Sequence, residues 1–422
     1  MGENEISRRR LLRAMGKGAA GLAGAQLAGG MLGSPAGANP LNGGPTEPRE
    51  FRTRLTERYG MKYPIVQAGF SAFYTTPELV AAVSNAGGLG CLGAVPEAPV
   101  GVRAMIRATK KLTNRPFGMD YVYFPYTGKT VHSPGYENAD DEHRTREINW
   151  TCTDEHIDVC VEEGVPFLVF FWTPPEKRWV KKLQAAGIEL WAQVGSVRGA
   201  KEAVDWGAKV IVAQGMQAGG HNRGYMDGEP LLRQELVPRV KDALPKDIIV
   251  VGAGGVADGR TLAACLREGA EAAWSGTVYA ASKESYAHEE YKRRVVAVEN
   301  GWNETRENML FGPEWPYGYT RAIMNRVMKE WQGKEDLIPT PPPPPASIGT
   351  HRLAPFSVPG GIPYSMPKFS LAIPTRDVEG DLEEMCLLAG AESAPLVKTV
   401  ESAKDITVQM GESARAILLG QA

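Results

Sequence analysis

A chain of the α/β class folded as a (β/α)8 barrel with a C-terminal helical extension is what this sequence predicts. Three observations carry that reading. Short apolar, β-prone runs alternate with amphipathic helix-like stretches eight times. Glycine closes one helix-like stretch after another, as the left-handed residue that stops a helix before the chain turns into a strand. Glycine-bearing turns follow the last three apolar runs. Continuous apolar strands separated by helices imply parallel strands covered on both faces. Eight such units over roughly 230 residues match the usual size of a closed barrel, about 250 residues.

The elements follow in order. The first run begins at Pro64-Ile65-Val66, and the stretch behind it ends at Ser84-Asn85-Ala86-Gly87. Leu89-Gly90-Cys91 and Phe117-Gly118-Met119 open the second and third strands. Glu162-Glu163-Gly164 precedes the fourth, Phe167-Leu168-Val169, and Ala185-Ala186-Gly187 precedes the fifth, Leu190-Trp191-Ala192. Asp205-Trp206-Gly207 leads into the sixth, Val210-Ile211-Val212, and Ile248-Ile249-Val250 forms the seventh. Arg267-Glu268-Gly269 then introduces Ala272-Ala273-Trp274 as the eighth. This places the barrel in residues 51–300 and the extension in 301–422.

The turns after strands six, seven and eight are Gln217-Ala218-Gly219-Gly220-His221, Gly252-Ala253-Gly254-Gly255 and Ser275-Gly276-Thr277. Glycine lets backbone N–H groups approach a ligand that a Cβ would exclude. Loops after the last two strands are where such a barrel holds a phosphate, and the first turn sets His221 on the same rim. One competing pattern is Gly252-Ala253-Gly254-Gly255-Val256-Ala257, a dinucleotide fingerprint with Glu271 roughly twenty residues on. Six βα units precede it, and Glu271 lies before the next strand instead of at its C-terminal end, so the barrel reading is preferred.

Composition is that of an ordinary globular chain, and a formal net charge of −2 gives no basic surplus for nucleic acid or an acidic membrane surface. The start of the chain differs. Ser7-Arg8-Arg9-Arg10-Leu11-Leu12-Arg13, an Ala/Gly-rich run and Ala36-Gly37-Ala38 resemble a twin-arginine signal over residues 1–38, and the expected partner is that export machinery. Export to the periplasm or another extracytoplasmic space is therefore expected. The cysteines, Cys91, Cys152, Cys160, Cys265 and Cys386, form neither a disulfide framework nor a metal-ligand spacing. Cys91 and Cys265 read as small core residues on a strand and a helix. A polar stretch, 125–150, reads either as a lid or as a solvated excursion, and the proline run at 339–345 reads as an extended linker. Residues 381–388 and 403–419 look helical and suited to packing on the barrel.

Together the stretch 63–94, the turn Ala218-Gly219-Gly220-His221 and the stretch 251–277 resemble the nitronate monooxygenases. The resemblance runs on through Glu284-Ser285 and His288 to Gly380-Asp381. It implies an FMN-dependent barrel that oxidises alkyl nitronates with O2 to carbonyl compounds and nitrite. By matched position, Gly254, Gly255, Ser275, Gly276 and Thr277 would hold the FMN phosphate. Gly219 and Gly220 would lie close to the flavin, Gln67 near the edge of its ring, and His221 at the substrate as contact or base. The remaining histidines, His132, His143, His156, His288 and His351, read as surface or capping residues. Where the family usually has Pro-Met, Glu and Gln-Met, this chain has Gly69-Phe70, Gln217 and Trp274-Ser275. These changes are expected on the flavin and substrate side.

Physical chemistry supports the same division. A flavin phosphate carries about two negative charges, which converging backbone N–H groups can meet without a lysine. Taking the α-proton of a nitroalkane needs a base such as histidine, with an unperturbed pKa of about 6.5. A preformed nitronate needs no such step. Two alternatives stay open from sequence: an NAD(P)H-dependent flavin reductase of enoyl thioesters or quinones, and a non-catalytic barrel that binds a phosphate ligand.

Overall fold

The computed structural model describes residues 48–124, 151–312, 319–338 and 347–421. The expected signal, the 125–150 stretch with His132 and His143, and the proline run lie outside them. Eight parallel strands run in one sheet: β1 (Ile65–Gln67), β2 (Gly90–Gly93), β3 (Phe117–Tyr123), β4 (Phe167–Trp172), β5 (Glu189–Val194), β6 (Val210–Gln214), β7 (Ile249–Ala253) and β8 (Ala272–Ser275). Each contains or adjoins the run that predicted it. β1 pairs with β8 on one side. On the other, Val66 bridges Leu89, with Gln67 N donating to Leu89 O at 2.9 Å and Leu89 N to Ile65 O at 2.9 Å. The barrel is closed.

The glycines expected to end helices do so, with φ of +100° at Gly87, +61° at Gly164, +73° at Gly187, +111° at Gly207 and +102° at Gly269. Strand side chains divide between two layers. Phe167, Val169, Trp191, Val212 and Val251 fill the barrel, while Leu168, Phe170 and Leu190 face the helices. Phe167 and Trp191 stack with centroids 4.2 Å apart, and Tyr59 meets both edge-on from the short helix Arg54–Tyr59 beneath the barrel. Each such pair adds about 0.5–1.5 kcal/mol beyond burial. Glu271, the residue a dinucleotide site would need, is held at this end by Arg54 through its guanidinium and backbone N–H. It has no part in the mouth.

Directly after β8 comes a helix of four residues, Thr277–Ala280, in place of a full barrel helix. The outer layer is completed by Ala403–Leu418, which packs against the helices Pro77–Ala86 and Gly259–Arg267. Ile406, Met410 and Ala414 bury its inner face, and Thr407 Oγ1 meets Tyr279 Oη at 2.8 Å. The predicted C-terminal helix is thus present. The other is not: residues 381–388 hold one 3-10 turn, Leu382–Glu384, and then run extended. Ile323 N donates to Leu387 O at 2.8 Å and Asn325 Nδ2 to Met385 O at 2.8 Å, so these carbonyls bond outside the segment.

The extension also reaches the mouth of the barrel. Thr320–Ile323 pairs antiparallel with Thr305–Asn308 on one side and with Gly220–His221 on the other. His351, expected as a surface or capping residue, is instead buried within the strand Gly349–Leu353, with its ring nitrogens against the carbonyls of Arg352 and Ile373. His156 is buried but does cap its helix, accepting from Thr153 N, while half-buried His288 caps Glu289–Val296. All five cysteines are free and buried.

Candidate active site

The turns after β6, β7 and β8 meet at the C-terminal mouth and line one cavity with Gly219, Gly220, His221, Gly254, Gly255, Gly276 and Thr277. Gly254 and Gly255 have φ of +102° and +73°. This left-handed pair turns the chain so that successive N–H groups share one concavity, an arrangement suited to an anion. Among the described residues, no backbone or side-chain acceptor takes the N–H groups of Gly255, Val256, Gly276 or Thr277. Buried donors left open in this way fit a phosphate.

What holds these turns comes from outside them. Arg233 donates to Gly254 O at 2.5 Å and grips Glu268 with two bonds of 2.8 and 2.9 Å. Burial works against its charge, but Glu268, together with the nearby Cys265 and Glu392, more than offsets that and keeps the guanidinium charged behind the turn. Ser275, one of the predicted phosphate residues, does not line the cavity; its Oγ donates to Val256 O at 2.7 Å and steadies the turn from behind. Thr277 Oγ1 accepts from Gly390 N at 3.1 Å and Ser393 Oγ at 3.0 Å, so the C-terminal chain walls this end. Gly219 answers to the same chain: a Cβ there would lie 2.5 Å from the Ala389 carbonyl carbon and Gly390 N. Its missing side chain makes room for the protein's own backbone.

Gln67 is not at the cavity either. Its side-chain amide bonds both backbone groups of Cys91, Nε2 to the carbonyl at 3.2 Å and Oε1 from the N–H at 3.2 Å. It seals the β1–β2 seam, where the backbone ladder is short. Among the positions that depart from the family, Gly69, Phe70 and Trp274 do line the cavity. Gln217 lies behind it, bonded to Arg233 N at 3.0 Å, Gln234 at 3.0 Å and Glu392 at 3.3 Å.

Away from the open N–H donors the cavity is aromatic and apolar, with Phe70, Val122, Phe171, Trp172 and Leu371 on its walls. His221 stands there, its ring 4.8 Å from that of Trp172 and 6.4 Å from Phe171, edge-on to both. Its backbone is fixed by the ribbon with Thr320–Ile323 and by Gln214 Nε2, which donates to His221 O at 2.8 Å. Nε2 is buried without a hydrogen-bond partner among the described residues. Burial pushes the imidazole pKa down to about 4, so the ring is neutral and one of its nitrogens is open to the cavity.

Asp120, Arg233 and Ser393 were missed by sequence reasoning. The strand pattern held a signal for Asp120: Met119, Tyr121 and Tyr123 pack outward, so Asp120 and Val122 must point inward. Nothing in the sequence tied Arg233 or Ser393 to turns so far away along the chain.

Comparison with known proteins agrees with this geometry. A nitronate monooxygenase family model matches residues 52–412. A probable nitronate monooxygenase of Staphylococcus saprophyticus is 33% identical over 309 residues, covering 69% of this chain and 84% of the relative. The solved structure of a nitroalkane oxidase from Streptomyces ansochromogenes superposes with a TM-score of 0.65 at 25% identity, covering 85% of this chain and 97% of that one. FabK from Thermotoga maritima gives a TM-score of 0.65 at 27% identity, over 87% and 97% of the two chains. A barrel whose mouth pairs open backbone N–H donors with a neutral histidine, matched along most of its length, is an enzyme of the oxidoreductase class, and the chain belongs to the nitronate monooxygenase family.

Proposed function

We propose that this enzyme binds FMN and oxidises alkyl nitronates with O2 to carbonyl compounds and nitrite. The observation that carries the reading is the pairing of open N–H donors at the ends of β7 and β8 with the unpartnered His221 Nε2 across the same cavity. Gly254, Gly255, Gly276 and Thr277 would hold the phosphate, with Arg233 and Ser275 fixing the first turn and Ser393 bracing Thr277. Bound FMN supplies the electron-transfer chemistry that amino-acid side chains lack. His221 accepts the α-proton of a neutral nitroalkane at Nε2, and the apolar wall keeps water from that base. With a preformed nitronate the same nitrogen serves binding alone.

The test is to mix purified protein with a nitronate in air and measure nitrite, with and without NAD(P)H. Nitrite formed without nicotinamide is the expected result. Nicotinamide consumed without any nitro compound would assign the flavin reductase reading. A colourless protein carrying a flavin-free phosphate ligand would assign the binding-barrel reading.

Export is a separate proposal, resting on the Arg8-Arg9 pair and the Ala36-Gly37-Ala38 stretch. Changing both arginines to lysine should leave folded, flavin-loaded protein in the cytoplasm. Unchanged export in a fractionation assay would rule out the twin-arginine assignment.

A further inference from the structure

The strand pattern turns one carboxylate into the barrel's mouth. Asp120 lies on β3 in register with Gly93 of β2 and Val169 of β4, and its side chain lines the cavity that holds His221. β4 links the two residues: its last residues, Phe171 and Trp172, are the rings against His221. Among the described residues no hydrogen bond or ion pair ties the Asp120 carboxyl to the protein. Its place is made by Gly69, where a Cβ would sit 2.4 Å from Asp120 Cβ and 2.9 Å from Oδ2. A residue with any side chain at position 69 would push the carboxyl aside.

We propose that Asp120 donates a hydrogen bond to the nitro oxygen on which negative charge builds as His221 takes the α-proton. The inference rests on the proposed function for its choice of substrate. In the step, the α-C–H bond breaks and its proton passes to His221 Nε2. The electron pair moves into the forming C=N bond, and the charge settles on the nitro oxygens. Asp120 keeps its own proton and shares it with one of them.

Burial pushes the Asp120 carboxyl well above the usual carboxylate range and the His221 imidazole down to about 4, so it favours the neutral form of each. Both side chains line one cavity, where the neutral carboxyl would donate and the neutral imidazole would accept. Environments that drive two titratable groups apart in this way divide acid and base roles. A preorganised donor aimed at developing charge typically contributes about 10²–10³-fold in turnover.

The test uses the flavin-loaded full chain and the variants Asp120→Ala, Asp120→Asn and Gly69→Ala, each checked for flavin content. In Asp120→Ala, kcat/KM on 1-nitropropane should fall by about 10²–10³-fold. Asp120→Asn should recover most of that loss, because the amide still donates. Gly69→Ala should resemble Asp120→Ala by displacing the carboxyl. As a second readout, 1-nitropropane and its nitronate are titrated anaerobically into photoreduced protein, where turnover is blocked. Wild type should bind the nitronate more tightly, and Asp120→Ala should lose that preference while binding the neutral form unchanged. Equal damage in the Asn and Ala variants would make Asp120 an ionised base and overturn the proposal. So would a wild type with no preference for the nitronate. Absence of nitrite from the wild-type aerobic reaction would instead overturn the proposed function.

Discussion

Replacement of Gly255 by Leu should abolish FMN retention while leaving the barrel folded. Two causes act together. At φ of +73° a side chain costs about 1–3 kcal/mol of backbone strain. A Cβ there would also lie 2.5 Å from Glu392 Oε2 and 3.0 Å from Glu392 Cβ, and the rest of a leucine side chain adds to that crowding, which Glu392 and the turn must relieve by shifting. Moving the turn misaligns the Gly255 and Val256 N–H groups. Each hydrogen bond to a charged group is worth about 1.5–3 kcal/mol, so losing two weakens binding by roughly 10²–10⁴-fold. Flavin absorbance per protein after gel filtration reads the effect, with circular dichroism as the check on folding. Normal flavin occupancy in the variant would place the phosphate elsewhere.

His221→Asn should separate binding from base catalysis. FMN content is expected to be unchanged, because the turns proposed to hold the phosphate follow β7 and β8 while His221 follows β6. Turnover of a neutral nitroalkane should fall by about 10²–10⁴-fold, the usual contribution of a general base. Its preformed nitronate has no proton to lose and should be much less affected. The pH profile carries the same claim. With the pKa held down to about 4 by burial, the imidazole is already in its basic form throughout the range above that value. The acid limb of kcat/KM for the neutral substrate should therefore lie near 4, and a limb near 6.5 would mean the ring is solvated in the working enzyme. Equal losses on both substrates would leave His221 as a binding group only.

The barrel was legible because its signals are local and repeated. A β-prone run such as Val210-Ile211-Val212 and a helix-ending glycine such as Gly207 act within a few residues of themselves, and eight repetitions fix the fold. The turn after β7 was legible for the same reason, since Gly254 and Gly255 announce a turn wherever they stand. Contacts that depend on a distant partner were not legible. Gln67 bonds Cys91 across the β1–β2 seam, Ser275 bonds Val256, and Gly219, which lines the cavity, also makes room for Ala389. Residues 381–388 have a helix-like pattern, yet Asn325 and Ile323 take their carbonyls. Arg233, Ser393 and the room Gly69 leaves for Asp120 are likewise products of the closed barrel, where chain ends far apart in sequence meet.

The absorption spectrum of the purified protein, followed by mass analysis of the cofactor released on denaturation, tests the central claim most directly. The open donors after β7 and β8 predict flavin absorbance and a released cofactor with the mass of FMN. Released FAD, or no flavin even after reconstitution with FMN, would contradict it.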